Sequence, residues 1–227
     1  RVVMAVNIAA FPEHFPNEAI SRIFAAAARV VEQAGGSVAG GHTIRNPEPI
    51  FGLAVQGVVN PKRIFRKGGA KAGDIALLSK PLGTGLTLAG GSASDKAVAI
   101  AGMRELNRIA SEQLQQLGAD VHAVTDVTGY GLAGHGWEMA QRSGVQLVLR
   151  AAMLRAYPGA FDAAQRGVRT GGDPRNRQYV AQHFSFDATT CDDASVALCM
   201  DPQTSGGLLA AVTREAAEKL LRDKMWC

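Results

Sequence analysis

No apolar run in this chain is long enough to cross a bilayer, and its first residues lack the charged, apolar and small-residue blocks of a signal peptide. A soluble protein of the cytoplasm is expected. Cysteine is scarce. Cys191, Cys199 and Cys227 form an odd set without zinc-type spacing, which argues against a disulfide framework and for a reducing compartment. Neither sign of charge dominates, the net value being only +4. The densest basic cluster, Lys62-Arg63-Ile64-Phe65-Arg66-Lys67, is short and reads as a solvated face, so nucleic acid is not the expected partner. Internal repeats and low-complexity tracts are missing too.

Enough apolar residues are present, 47% of 227, to fill one or two domain cores. The 26 glycines, set against 6% aromatics, imply many tight turns and close backbone approaches. Strand and helix patterns alternate, which indicates an α/β (α+β) class. Val2 to Ala10 reads as a strand that needs neighbours on both sides. Asn17 is placed as the cap of a helix whose apolar face is Ile20, Ile23, Phe24, Ala27, Val31 and Ala34, ended by Gly35-Gly36. Ser37 to Thr43 is a short strand running into a glycine loop. Ile50 to Val59 is a strand with Leu53, Val55 and Val58 as core candidates. The polar, glycine-rich stretch from Gly68 to Asp74 marks a domain boundary, giving domains 1–67 and 68–227. Further strands are expected at 75–79, 121–127, 145–149 and 208–212. One long helix is expected over 95–117, with others at 132–142, 161–166, 192–200 and after Thr213. Thr170 to Asn176 reads as a second polar glycine loop.

The chemistry concentrates in Val124-Thr125-Asp126-Val127-Thr128-Gly129-Tyr130-Gly131. A carboxylate stands where a buried strand meets solvent, followed by a glycine turn and a helix start. Helix starts offer unpaired N–H groups and a positive dipole end, both favourable to phosphate. An adjacent carboxylate can hold Mg²⁺, a hard cation that shares oxygen ligands with phosphates. On pattern alone Asp126 or Thr128 is equally a helix cap. Gly83-Thr84-Gly85 after a strand suits phosphate but lacks a Walker ending. Lys80 pairs with an acid or faces water, the latter favoured, and the roles of Asp173, Arg175 and Asp201 stay open.

Five motifs occur in one order: Gly40-Gly41-His42-Thr43 with Pro47-Glu48-Pro49, Lys80 to Gly85, Thr125 to Gly131, Gly171-Gly172 with Arg175-Asn176, and Asp201-Pro202-Gln203-Thr204-Ser205-Gly206-Gly207. Together they resemble the selenophosphate synthetases (selenide, water dikinases) of the aminoimidazole ribonucleotide synthetase-like superfamily. The resemblance implies the end of an N-terminal domain that dimerises through a β-barrel, followed by an incomplete C-terminal α/β domain. It implies ATP-dependent conversion of selenide and water to selenophosphate, AMP and phosphate, with Mg²⁺ as cofactor. By the same resemblance Asp126 is a metal ligand, and Gly41, His42 and Thr43 reach ATP across a homodimer. The family's reactive cysteine or selenocysteine and its lysine precede the stretch matched here, so no catalytic residue is assigned. The chain is read as a fragment, inactive by itself. Rival readings are a sibling ATP-dependent enzyme (hydrogenase maturation, thiamine-phosphate kinase or purine synthetase type) and a non-catalytic nucleotide-binding regulator.

Overall fold

The structure, a computed structural model, describes residues 1–223 and 225–227. The chain divides into two compact units, Arg1–Ile64 and Phe65–Cys227.

In the first unit β1 (Val2–Phe11) is the central strand, parallel to β2 (Ser37–Arg45) on one side and antiparallel to β3 (Ile50–Gly57) on the other. Helix α1 (Asn17–Gln33) connects β1 to β2. Its expected stripe is real: Val31 is buried and Ile20, Ile23, Phe24, Ala27 and Ala34 are half-buried, while the intervening residues are largely exposed. Phe24 meets Phe51 of β3 edge to face at 5.3 Å. Three expectations change. Asn17 is not the cap: Pro16 holds that place at φ −62°, and no side chain closes the turn. Its fixed φ suits a helix entry. Gly40 to Thr43 is not a loop. These residues continue β2 and pair with Val6 to Ala9, past a bulge that Gly40 accommodates at φ +153°. Val55 and Val58 are not core residues, being 54% and 63% exposed.

The second unit is built on a sheet in the order β4 (Ile75–Leu78), β6 (Leu208–Val212), β5 (Val121–Asp126), with β6 antiparallel to both neighbours. Successive side chains of a strand face opposite ways, and each face here has its own core. Leu78, Ala123, Leu209 and Ala211 pack on one side with α5 (Gly131–Ser143), α6 (Ala160–Gln165) and α8 (Asp193–Met200). Leu77, Val124, Ala210 and Val212 pack on the other with α4 (Arg108–Leu117) and α9 (Arg214–Leu220). Every residue of α8 from Ala194 to Met200 is buried, as expected of a helix apolar on all sides. Helices α2 (Thr84–Gly90), α3 (Ala93–Arg104) and α7 (Asp173–Val180) complete the unit.

The long helix expected over 95–117 is two helices. α3 begins earlier, at a capping box between Ser92 and Asp95, and Glu105 leaves the helix at ψ 129°. Residues 145–149 alternate between half-buried and exposed as a strand would, yet pair with no strand among the described residues. Asp173 to Asn176 is not a loop but the first turn of α7, with Pro174 where a missing N–H costs nothing.

Candidate functional site

The C-terminal ends of β4 and β5 and the start of β6 meet at one end of the second unit's sheet. Ser79 closes β4 onto β6: its N–H donates to Leu208 O (3.1 Å), and its Oγ accepts from Leu208 N (2.8 Å). Val127 N donates to Gly207 O (2.9 Å), closing β5 onto the same segment. The approach there is tight. A Cβ on Gly206 would lie 2.1 Å from Val127 O, and one on Gly207 2.5 Å from Lys80 N. Only glycine permits such contacts.

Asp126 stands at this end of the sheet, exposed, and its carboxylate makes no hydrogen bond or ion pair among the described residues. Its backbone O accepts from Thr125 Oγ1 at 3.2 Å. No group of three or more His, Cys, Asp or Glu converges on a metal position among the described residues. One free carboxylate suits a cation that completes its shell with water and phosphate oxygens, and does not suit an all-protein cage.

Lys80 does not face water. It is 6% exposed, and its Nζ donates to Glu105 O (2.7 Å) and Ser205 O (2.8 Å). Burial lowers its pKa, opposed by the nearby Glu105 charge. Asn107 Nδ2 donates to Gly206 O at 2.8 Å. The break between α3 and α4 therefore supplies polar groups to the turn before β6.

Neither Asp126 nor Thr128 caps α5. Tyr130 holds the cap position without a side-chain bond. Thr128 Oγ1 instead bonds Nε2 of the buried His135 (3.1 Å), whose Nδ1 lies 3.3 Å from Glu138 Oε2. Burial pushes the Glu138 carboxyl up, but the Lys67 ammonium, the Tyr179 hydroxyl and His135 together hold it below its usual range. The N–H groups of the glycine turn are less open than expected. Gly131 N donates to Thr128 O (2.9 Å), and a Cβ at Gly131, φ +67°, would lie 2.7 Å from Cys199 O. Two side-chain and backbone ties from elsewhere hold the turn. Gln203 N donates to Thr128 O (3.0 Å), and Asn176 Nδ2 donates to both Gly129 O (2.9 Å) and Met200 O (2.8 Å). Replacing Asn176 by Leu strands two carbonyls of which Met200 O is bonded in the interior. We expect a loss of about 2 kcal/mol, read as a shift in urea midpoint; a change within about 0.5 kcal/mol would show that water takes over both bonds.

Gly83-Thr84-Gly85 is no free phosphate cradle. Gly83 N and Thr84 N donate to Gln203 Oε1 (3.0 and 3.2 Å), and Gly85 N and Leu86 N donate to Asp201 Oδ2 (2.9 and 3.2 Å). The chain's own Asp201 and Gln203 take these donors. Burial pushes the Asp201 carboxyl up to about 6, opposed by the amides of Leu86 and Gly85 and by Gln203. Asp173 is also buried and accepts from Arg177 Nε at 2.8 Å, whereas Arg175 is exposed. Gly41, His42 and Thr43 are exposed on β2 of the first unit, and Asp126 belongs to the second. A Cβ at Gly41 would lie 2.1 Å from Asn7 Oδ1.

Lys80, Asn107, Asn176 and Gln203 organise the site, and sequence reasoning assigned none of them. Their only sequence signal is a polar side chain inside a glycine-rich motif or at a helix break.

Comparison with known proteins places these features among others. The AIR synthase related protein family, C-terminal domain, matches residues 71–223. A protein of Caldanaerobacter subterraneus subsp. tengcongensis named selenide, water dikinase is 37% identical over 225 residues, 97% of this chain and 64% of its own length. A protein of the same name from Pseudomonas straminea is 38% identical over 228 residues, 97% of this chain and 62% of its own length. The chain thus spans under two thirds of these curated relatives. The solved structure of hydrogenase maturation protein HypE in complex with ATP aligns with TM-score 0.66 and 17% identity, over 98% of this chain and 60% of that one. Likeness at that identity shows the α/β fold alone.

Proposed function

Because the chain belongs to the AIR synthase related family by its C-terminal domain, we propose that it forms part of an enzyme making selenophosphate from ATP, selenide and water, with release of AMP and phosphate. The observation that carries this reading is the free carboxylate of Asp126 at the sheet end, backed by Gly206 and Gly207 and followed by a turn tied down by Asn176 and Gln203. The named relatives supply the substrate class, and their match covers 97% of the chain.

In this reading Asp126 takes Mg²⁺ shared with the ATP phosphates. Such an ion neutralises phosphate charge during transfer. The residues present fit one end of that arrangement: a single hard oxygen donor, exposed and unpaired, beside the bond from Val127 N to Gly207 O. Asp126 holds the cation, the Thr128–Gly131 turn keeps its aim, and Gly41, His42 and Thr43 serve the ATP of a partner subunit in a homodimer. Turnover needs further carboxylates, so the 227-residue chain by itself binds nucleotide weakly and releases no AMP.

Titration calorimetry with Mg²⁺ and a non-hydrolysable ATP analogue tests the site. Asp126→Asn is expected to weaken binding at least about tenfold, or 1.4 kcal/mol. Equal affinity in both proteins refutes the assignment. The chemistry is tested on the whole protein containing this chain, by phosphorus NMR with selenide. AMP and selenophosphate support the proposal; ADP as sole nucleotide product favours a sibling kinase.

A further inference from the structure

Ser205 is the one non-glycine residue at positive φ among the described residues, at +50°. Side chains rarely adopt that region, and a residue held there is over-determined by its surroundings. Its carbonyl accepts from the ammonium group of Lys80, which is buried and bonded on its other side to Glu105 O. The next carbonyl, Gly206 O, accepts from Asn107. The one after, Gly207 O, accepts from Val127 N, directly after Asp126.

We infer that Lys80 is a positioning residue for Asp126: its ammonium pins the left-handed Ser205, which seats Gly206 and Gly207 against Val127 and so fixes the backbone that aims the carboxylate. Geometry favours this over a plain space-filling role. A methylene stem alone fills the volume, but only the charged head satisfies two carbonyls contributed by a helix break and a strained turn. Two of its three protons are spent on them. The contacts beyond Ser205 leave no slack, since not even a methyl group fits between Gly206 and Val127 O, where an added Cβ would lie 2.1 Å from that oxygen. Motion at Ser205 is therefore passed to Val127 and is not absorbed between them. The lowered pKa of Lys80 agrees with a desolvated head. The inference rests on the reading of Asp126 as a cation ligand for its functional meaning, but not for its mechanical part.

The test uses the 227-residue chain and two readouts at a temperature where circular dichroism shows each variant fully folded. The first is hydrogen exchange at the Val127 amide, which reports the local clamp. The second is Mn²⁺ binding by electron paramagnetic resonance in the presence of a non-hydrolysable ATP analogue. Lys80→Met is expected to speed Val127 exchange at least about tenfold and to weaken Mn²⁺ binding by a similar factor. Adding Ser205→Gly removes the conformational penalty that Lys80 holds in check, so the double variant should regain most of both. Wild-type exchange in Lys80→Met, or no rescue by Ser205→Gly, overturns the proposal. Should Lys80→Met fail to fold, folding of the double variant supports the pinning of Ser205, and failure of both overturns it. If Asp126→Asn binds Mn²⁺ as the wild type does, the cation reading falls, and Val127 exchange still decides the role of Lys80.

Discussion

Gly206→Ala is expected to lose about 3 kcal/mol or more of stability, with the damage centred on the end of the sheet. The new methyl group meets Val127 O at 2.1 Å and Gln203 Cβ at 2.9 Å. Relief is blocked on both sides. Val127 is held by its N–H bond to Gly207 O, and the Gly206 carbonyl is held by Asn107. Moving either breaks a bond in the interior, where an unpaired group costs about 1–3 kcal/mol. Gly129→Ala is the matched control. It lies in the turn after Asp126, nothing stands within 4 Å of the added Cβ, and its φ is not positive. Its effect should stay within about 0.5 kcal/mol. Urea unfolding followed by the fluorescence of Trp137 and Trp226 measures both. Similar stabilities for the two variants would mean that the sheet end yields more than its contacts indicate.

Asp201→Asn is expected to stabilise the protein near neutral pH by about 3 kcal/mol, with no gain in acid. The folded-state carboxyl titrates at about 6 against an ordinary 3.8. Between those values the folded state holds a proton that the unfolded state has lost. The contribution of Asp201 is therefore fully present below about 3.8 and is lost as pH rises through about 6. An amide cannot ionise, and it keeps an oxygen for Gly85 and Leu86. Other carboxyls, among them Asp95, Asp192 and Glu138, are held below their ordinary range and act in the opposite direction. The informative quantity is thus the difference between variant and wild type at each pH, from urea midpoints across pH 4 to about 7. A difference that does not change with pH would show that Asp201 stays ionised or stays neutral throughout.

Local pattern carried much of the architecture. The stripe of α1 and the apolar runs of β4, β5 and β6 depend on periodicity within a few residues, and they stand where the pattern puts them. Errors arose where a distant residue decides. Helical spacing continues through Met103, Leu106 and Ala110, yet the chain breaks between α3 and α4, where Glu105 O bonds Lys80 and Asn107 bonds Gly206. Gly83-Thr84-Gly85 looks open because its acceptors lie 116 to 120 residues away. Lys80 looks like a surface lysine because its acceptors lie 25 and 125 residues away. The strand expected over 145–149 is absent: the alternation is there, but no strand pairs with it among the described residues, and no local signal can name a pairing partner. At the candidate site the position of Asp126 at a strand end was legible. Asn176 and Gln203, which hold the turn beside it, were not, because each acts on a segment remote in sequence.

The strand at the centre of the second unit's sheet has a kinetic consequence. β6 separates β4 from β5, yet it is made more than eighty residues after the later of them. Until it emerges from the ribosome, β4 and β5 lack the strand that joins them, and the helices made before it have no complete sheet to pack on. Such long-range closure slows folding and lengthens the window in which aggregation competes. A growing chain of this kind has reason to need chaperones until Val212 is complete.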